Sequence, residues 1–188
     1  MITRRRLLKT SLTGAAKLAV VSGIGGGIVG GVGIVSVRQI AQSRSHDLAA
    51  LVAKIGAMPV AQLSNAGEWS VGQVFAHMAQ SIDYSMTGYP QMKSELFRAT
   101  AGNVAFHLFG AAGQMRHPLN EAIPGAPELP AEISNEDGFA LLQQSARNFL
   151  AFRQQPRPLF AFGDLSMAQY EAAHCLHILN HLQAFSAA

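Results

Sequence analysis

A single cysteine, Cys175, in 188 residues excludes an intrachain disulfide framework, a cysteine-rich zinc finger and a cysteine-ligated iron–sulfur cluster. Acidic residues are missing from the first 46 positions. The first is Asp47, whereas Arg4, Arg5, Arg6, Lys9 and Lys17 all precede Val37. Of the 14 lysines and arginines, nine remain after Val37 against all 11 aspartates and glutamates, so that part is slightly acidic. The isoelectric point near 9.4 therefore belongs to the N-terminal segment. A domain without net positive charge lacks the basic footprint that nucleic acid requires, and no nucleic-acid partner is expected. No clear strand alternation, long repeat or low-complexity tract follows the leader.

What the leader does contain is informative. Thr3-Arg4-Arg5-Arg6-Leu7-Leu8-Lys9 resembles the twin-arginine export signal, Ser/Thr-Arg-Arg-x-apolar-Leu-Lys, with Arg4 and Arg5 as the arginine pair. An uncharged run from Leu18 to Val37 follows, and eight of the 18 glycines lie in residues 1–37. At about 1.5 Å per residue a helix of that length also spans a bilayer. No Ala-x-Ala closes the run, and Val35-Ser36-Val37 is a poor cleavage site, so removal and retention as an inner-membrane anchor both stay open. Either way residues 38–188 are expected in the periplasm or another extracytoplasmic space, delivered by the twin-arginine machinery. The resemblance implies a route that carries folded proteins, often with a metal or cofactor already inserted. Gly25, Gly27 and Gly30 satisfy G-x-G-x-x-G, but no buried strand precedes them, which excludes a dinucleotide fingerprint.

Residues 38–188 have helical spacing. Leu48, Leu51, Val52 and Ile55 share one face of a first helix that stops near Gly56 and Pro59. Ser70 and Gln73 form a capping box for a second, with Val71, Val74, Phe75, Met78 and Ile82 recurring until Gly88-Tyr89-Pro90. A third runs roughly from Lys93 to Ala112, carrying Leu96, Phe97, Val104 and Leu108, and ends at Gly113. Four prolines in residues 113–134 forbid a regular helix and make this long connection a lid or rim. Ser134 or Asn135 caps the next helix, with Phe139, Leu142, Ala146, Phe149 and Leu150 as its apolar face. Ser166 and Gln169 repeat the capping box before a last helix from Met167 to Phe185. The pattern predicts an all-α fold, a bundle of four principal helices plus a short or merged extra one.

Four of the seven histidines carry the functional argument. His174, His177 and His181 are spaced by three and four, which puts them on one stripe of the last helix. An H-x-x-x-H pair lets two imidazoles reach one metal ion, and His77, on the flank of the second helix's apolar stripe, can supply a third. The bland alternative is a set of half-buried histidines hydrogen-bonded to their neighbours. Several imidazoles crowded on a core face are costly if charged and underpaired if neutral, and a divalent cation satisfies them.

Trp69-Ser70-Val71-Gly72-Gln73 leading to His77, and His177-Ile178-Leu179-Asn180-His181-Leu182-Gln183 near the end, resemble the two ends of the DinB/YfiT-like metalloenzyme superfamily. The middle is similar to one uncharacterised branch of it, through Met115-Arg116-His117-Pro118, Ile123-Pro124-Gly125-Ala126-Pro127, Pro158-Leu159-Phe160 and Gly163-Asp164-Leu165-Ser166. The resemblance covers roughly Asp47 to Phe185. It implies a four-helix bundle holding zinc or nickel, with iron as a further option, through His77, His177 and His181. It also implies a small-molecule substrate and either hydrolysis or thiol-dependent transfer. His174 has no assigned family role and is read as a fourth ligand or a partner behind the ligands. Asn180 stands where relatives often have histidine, Arg157 likewise, and Tyr170 replaces a tryptophan. A non-catalytic binding or structural domain that has lost the metal is the alternative.

Other chemistry-bearing residues have plainer readings. Asp83 and Glu171 are acids that can orient an imidazole or sit at the surface, and Cys175 is read as a small buried residue. His107 and His117 flank the proline-rich connection and are expected to face solvent rather than line the pocket mouth.

Overall fold

The computed structural model describes Ile40 and residues 46–187. The export motif with Arg4 and Arg5, and the run from residue 18 to 37, lie outside the described residues. The described part is predominantly helical, with one small antiparallel sheet.

Helix α1, Leu48–Gly56, buries Leu48, Leu51, Val52 and Ile55. Its first amides are satisfied twice over: Ala50 N donates to Asp47 Oδ1 at 2.8 Å, and Leu48 N donates to Glu171 Oε1 at 3.0 Å from the far end of the chain. A 3₁₀ turn, Val60–Gln62, leads into strand β1, Leu63–Asn65. Helix α2, Val71–Thr87, starts at the Ser70–Gln73 capping box, an arrangement worth about 1 kcal/mol at a helix start.

Helix α3, Glu95–Phe97, passes through a π-helical turn at Arg98–Gly102 into helix α4, Asn103–Ala112. The helical stretch expected there is present, with a π-bulge inside it. A Cβ on Gly102 would clash with the Ala161 carbonyl, so the bulged turn lies where another segment's backbone is pressed against it. Much of this stretch is open: Leu96 is 75% and Leu108 63% exposed, whereas Phe106 is buried. Gly113 closes α4 in the left-handed conformation, φ 64°.

Helix α5, Asn135–Ala151, is capped by Ser134 and buries Phe139, Leu142, Ala146 and Phe149; Leu150, expected on this face, is 37% exposed. Helix α6, Met167–Leu182, begins at the Ser166–Gln169 capping box. It ends three residues earlier than its periodicity predicts, because Phe185–Ala187 leave the helix as strand β2. β2 pairs antiparallel with β1, Leu63 opposite Ala187 and Asn65 opposite Phe185. Three-residue strands are too short to show an alternation, which is why an all-α reading missed this sheet. Phe185 is buried edge-on against Phe75, ring centroids 5.4 Å apart, so the strand also seals the core.

Helix α2 packs most extensively on α5, and glycine permits their close approach. A Cβ on Gly72 would meet the Ile133 and Ser134 carbonyls, and one on Gly138 would meet Gly72 itself. This crossing, together with the packing of α6 on α1, α2 and α4, fixes His77 of α2 opposite the histidine stripe of α6. Among the described residues no helix is long and apolar enough to cross a membrane.

Candidate metal centre

His77 lies in the middle of α2, His177 and His181 one turn apart near the end of α6, and a single ligand atom from each falls within 4.8 Å of the other two. Their ring centroids are 4.8 to 5.1 Å apart. The helical spacing read from sequence therefore does bring these three together. His77 and His181 are buried and His177 is half-buried. Trp69, just before the capping box, packs against His77 at 5.1 Å.

Burial holds every one of these imidazoles neutral. It lowers His77 to about 4, helped by His117, and His181 to about 2, helped by His77 and His117. His177 lies well below its ordinary value, first through burial and then through the neighbouring histidines. A neutral imidazole carries one nitrogen lone pair, the form that ligates metals.

The donor set is also underpaired. His177 Nε2 and His181 Nε2 approach to 3.1 Å and share one contact. Both ring nitrogens of His77 are buried and find no hydrogen-bond partner among the described residues. A buried polar atom left so costs about 1–3 kcal/mol, and native structures rarely retain one without a reason. A divalent cation bound by three imidazoles would resolve the deficit, so the residues fit a metal.

His174 takes a different place. Its Nε2 lies 3.1 Å from Ser85 Oγ, and its ring meets the Phe149 edge at 4.8 Å. Ser85 Oγ donates its own hydrogen to Ile82 O at 2.6 Å, so in this pair His174 Nε2 is the donor. His174 is thus engaged away from the three-histidine group, although it lines the same pocket.

His117 departs from its sequence reading. Expected to face solvent, it lies 4.9 Å from the His177 ring and 5.0 Å from that of His181, with Nε2 buried. The proline-rich connection folds inward here, and no helical periodicity in an irregular segment could have revealed it. His107 is exposed, as expected.

His77, His117, His174 and His177 open on a pocket of about 240 Å³ whose other walls include Tyr89, Phe109, Met115, Ile123, Phe160 and Phe162. Ser81 and the rim acid Glu121 are further polar groups there. The two acids weighed from sequence are occupied elsewhere. Glu171 caps α1, and Asp83 faces Ser145, its carboxyl raised by partial burial. Cys175 is buried, its thiol pushed up to about 12, which makes it an inert core residue.

Tyr170, the Arg157 backbone and Asn180 tie neighbouring segments together. Tyr170 is fully buried and its hydroxyl donates to Arg157 O at 2.8 Å, while Arg157 N donates to Ser85 O at 2.7 Å. Asn180 Nδ2 donates to His117 O at 3.4 Å.

No curated protein and no solved structure matches the chain. Over residues 38–188, which hold all of these histidines, the chain belongs to a family described as Protein of unknown function (DUF1569).

Proposed function

We propose that this is an exported metal-binding protein with a DinB/YfiT-like four-helix bundle, which uses His77, His177 and His181 to hold one divalent cation, zinc or nickel before iron. The observation that carries the reading is the convergence of three neutral histidines from two helices around His77, whose buried nitrogens lack partners among the described residues. Helices α1, α2, α5 and α6 form the bundle, and the leader directs it through the twin-arginine machinery to the extracytoplasmic side, either freed or held by residues 18–37.

The pocket chemistry narrows the ligand class. Aromatic and aliphatic walls meet a histidine floor, an arrangement suited to a small molecule with an apolar body and one polar or ionisable head. When bound, a divalent cation supplies Lewis acidity, which activates water or a thiol at neutral pH. The apolar walls orient the ligand and exclude water. Glu121, on the exposed rim beside His117, is the carboxylate placed to take or return a proton. Hydrolysis and thiol-dependent transfer both fit these parts.

A second reading, a non-catalytic binding or structural domain without metal, draws support from Asn180 and Arg157. Both stand where relatives of the resembled superfamily often have histidine, and the Asn180 side chain bonds the His117 carbonyl instead. Elemental mass spectrometry on the exported protein separates the two. Near one equivalent of zinc, nickel or iron, lost when His177 and His181 are both replaced by Ala with helix content retained, supports the metal reading. No metal in the parent protein overturns it in favour of the second.

A further inference from the structure

The segment Met115-Arg116-His117-Pro118 has no part in the three-histidine site, yet it delivers an imidazole to its edge. His117 Nδ1 lies 2.7 Å from Pro118 O, and a carbonyl can only accept, so Nδ1 carries the ring hydrogen. In a neutral ring the lone pair is then on Nε2. That atom is buried and has no partner among the described residues. Its ring stands 4.9 and 5.0 Å from those of His177 and His181. An Nδ1–H held by a backbone carbonyl is the arrangement that fixes the tautomer of metal-binding histidines. The backbone is held too: Asn180, next to His181 on α6, donates to the His117 carbonyl at 3.4 Å.

We infer that His117 Nε2 is a fourth nitrogen ligand to the metal held by His77, His177 and His181, so that metal binding latches the proline-rich connection onto the bundle. The inference rests on the metal reading above. Three ligands come from helices and fix the site; the fourth comes from the irregular segment that also supplies Met115, Glu121, Ile123 and Pro124 to the pocket wall. Four imidazoles complete the coordination number that zinc favours. A ligand that binds the metal without raising its coordination number displaces His117, and release of His117 frees one wall of the pocket.

The chain offers a local reporter. Arg116 is exposed, immediately precedes His117, and is the only lysine or arginine in residues 113–134. Chelator-treated full-length protein is titrated with Zn²⁺ while histidine side-chain nitrogens are followed by NMR and tryptic cleavage after Arg116 is timed. At one equivalent, His117 Nε2 should shift together with the nitrogens of His77, His177 and His181, while His107 stays unchanged. Zn²⁺ should slow cleavage after Arg116 in the parent protein and not in His117→Ala, and that variant should bind Zn²⁺ at least about tenfold more weakly. Should His117→Ala fail to fold, the NMR shift in the parent protein still decides. Binding of Zn²⁺ with His117 Nε2 unmoved, or affinity and cleavage unaltered in the variant, overturns the fourth ligand and leaves the three-histidine site standing. Failure of the parent protein to bind Zn²⁺ overturns both.

Discussion

His174 and His177 are three residues apart on α6, and burial lowers both, yet they live in opposite conditions. At His174 the protein completes the bonding: Nε2 meets Ser85 Oγ, Ser85 passes its hydrogen to Ile82 O, and Phe149 covers the ring. At His177 the neighbours are other histidines, and opposite it His77 has two buried nitrogens without a partner among the described residues. A satisfied histidine is architecture. An unsatisfied group of them is open to a ligand that the described residues do not supply, and the contrast on one helix shows that burial alone does not distinguish the two.

The largest effect should come from the unsatisfied end. A metal that binds only the folded state stabilises it by about 2.7 kcal/mol at a concentration one hundred times its dissociation constant. Thermal unfolding with and without Zn²⁺ should show a clear rise in midpoint for the parent protein, none for His181→Ala, and an intact rise for Ser85→Ala. A rise retained in His181→Ala would erase the contrast. Next in size is the satisfied end itself: Ser85→Ala leaves His174 Nε2–H without its acceptor and should cost about 1–3 kcal/mol in denaturant unfolding.

Acid separates the two ends more finely. Burial lowers His174 from 6.5 to about 3. Below pH 6.5 the unfolded chain therefore takes up a proton that the folded chain refuses until about pH 3, and stability falls as pH falls through that window. With chelator present throughout, His174→Gln should give a shallower decline than the parent protein, by the slope of one proton. Parallel curves would mean that His174 is protonated in the folded state as readily as in the unfolded one.

Much of this was legible in the sequence because helices write a period. The Ser70–Gln73 and Ser166–Gln169 capping boxes placed two helix starts correctly, and the 3.6-residue repeat put His177 and His181 on the stripe that meets His77. What was missed lies where no period exists. His117 sits on a proline-rich connection whose path is set by Asn180 and by Pro118's own carbonyl, and β1 and β2 are too short to alternate. Along α3 and α4 the period alone did not tell which residues are covered: Leu96 and Leu108 stay largely exposed while Phe106 is buried. The donation from Asn180 to the His117 carbonyl is likewise a tertiary contact that no local pattern records.

The smallest expected effect is the most discriminating. Replacing a buried polar side chain usually costs stability, because its partners lose their bonds. His77 has no such partner among the described residues, and its ring packs against Trp69 and the facing histidines through its faces and edges. With metal removed by chelator, His77→Leu should therefore change stability by less than about 1 kcal/mol, and an increase is as acceptable as no change, since the desolvation cost of two unpaired nitrogens disappears. With Zn²⁺ the same variant should lose the metal-dependent rise entirely. A residue that is nearly neutral to the apo fold and indispensable to the metal-bound one is kept for the metal. A loss of 1–3 kcal/mol in chelator, matching Ser85→Ala, would instead place His77 among the satisfied architectural residues and collapse the distinction between the surroundings of His174 and those of the three-histidine group.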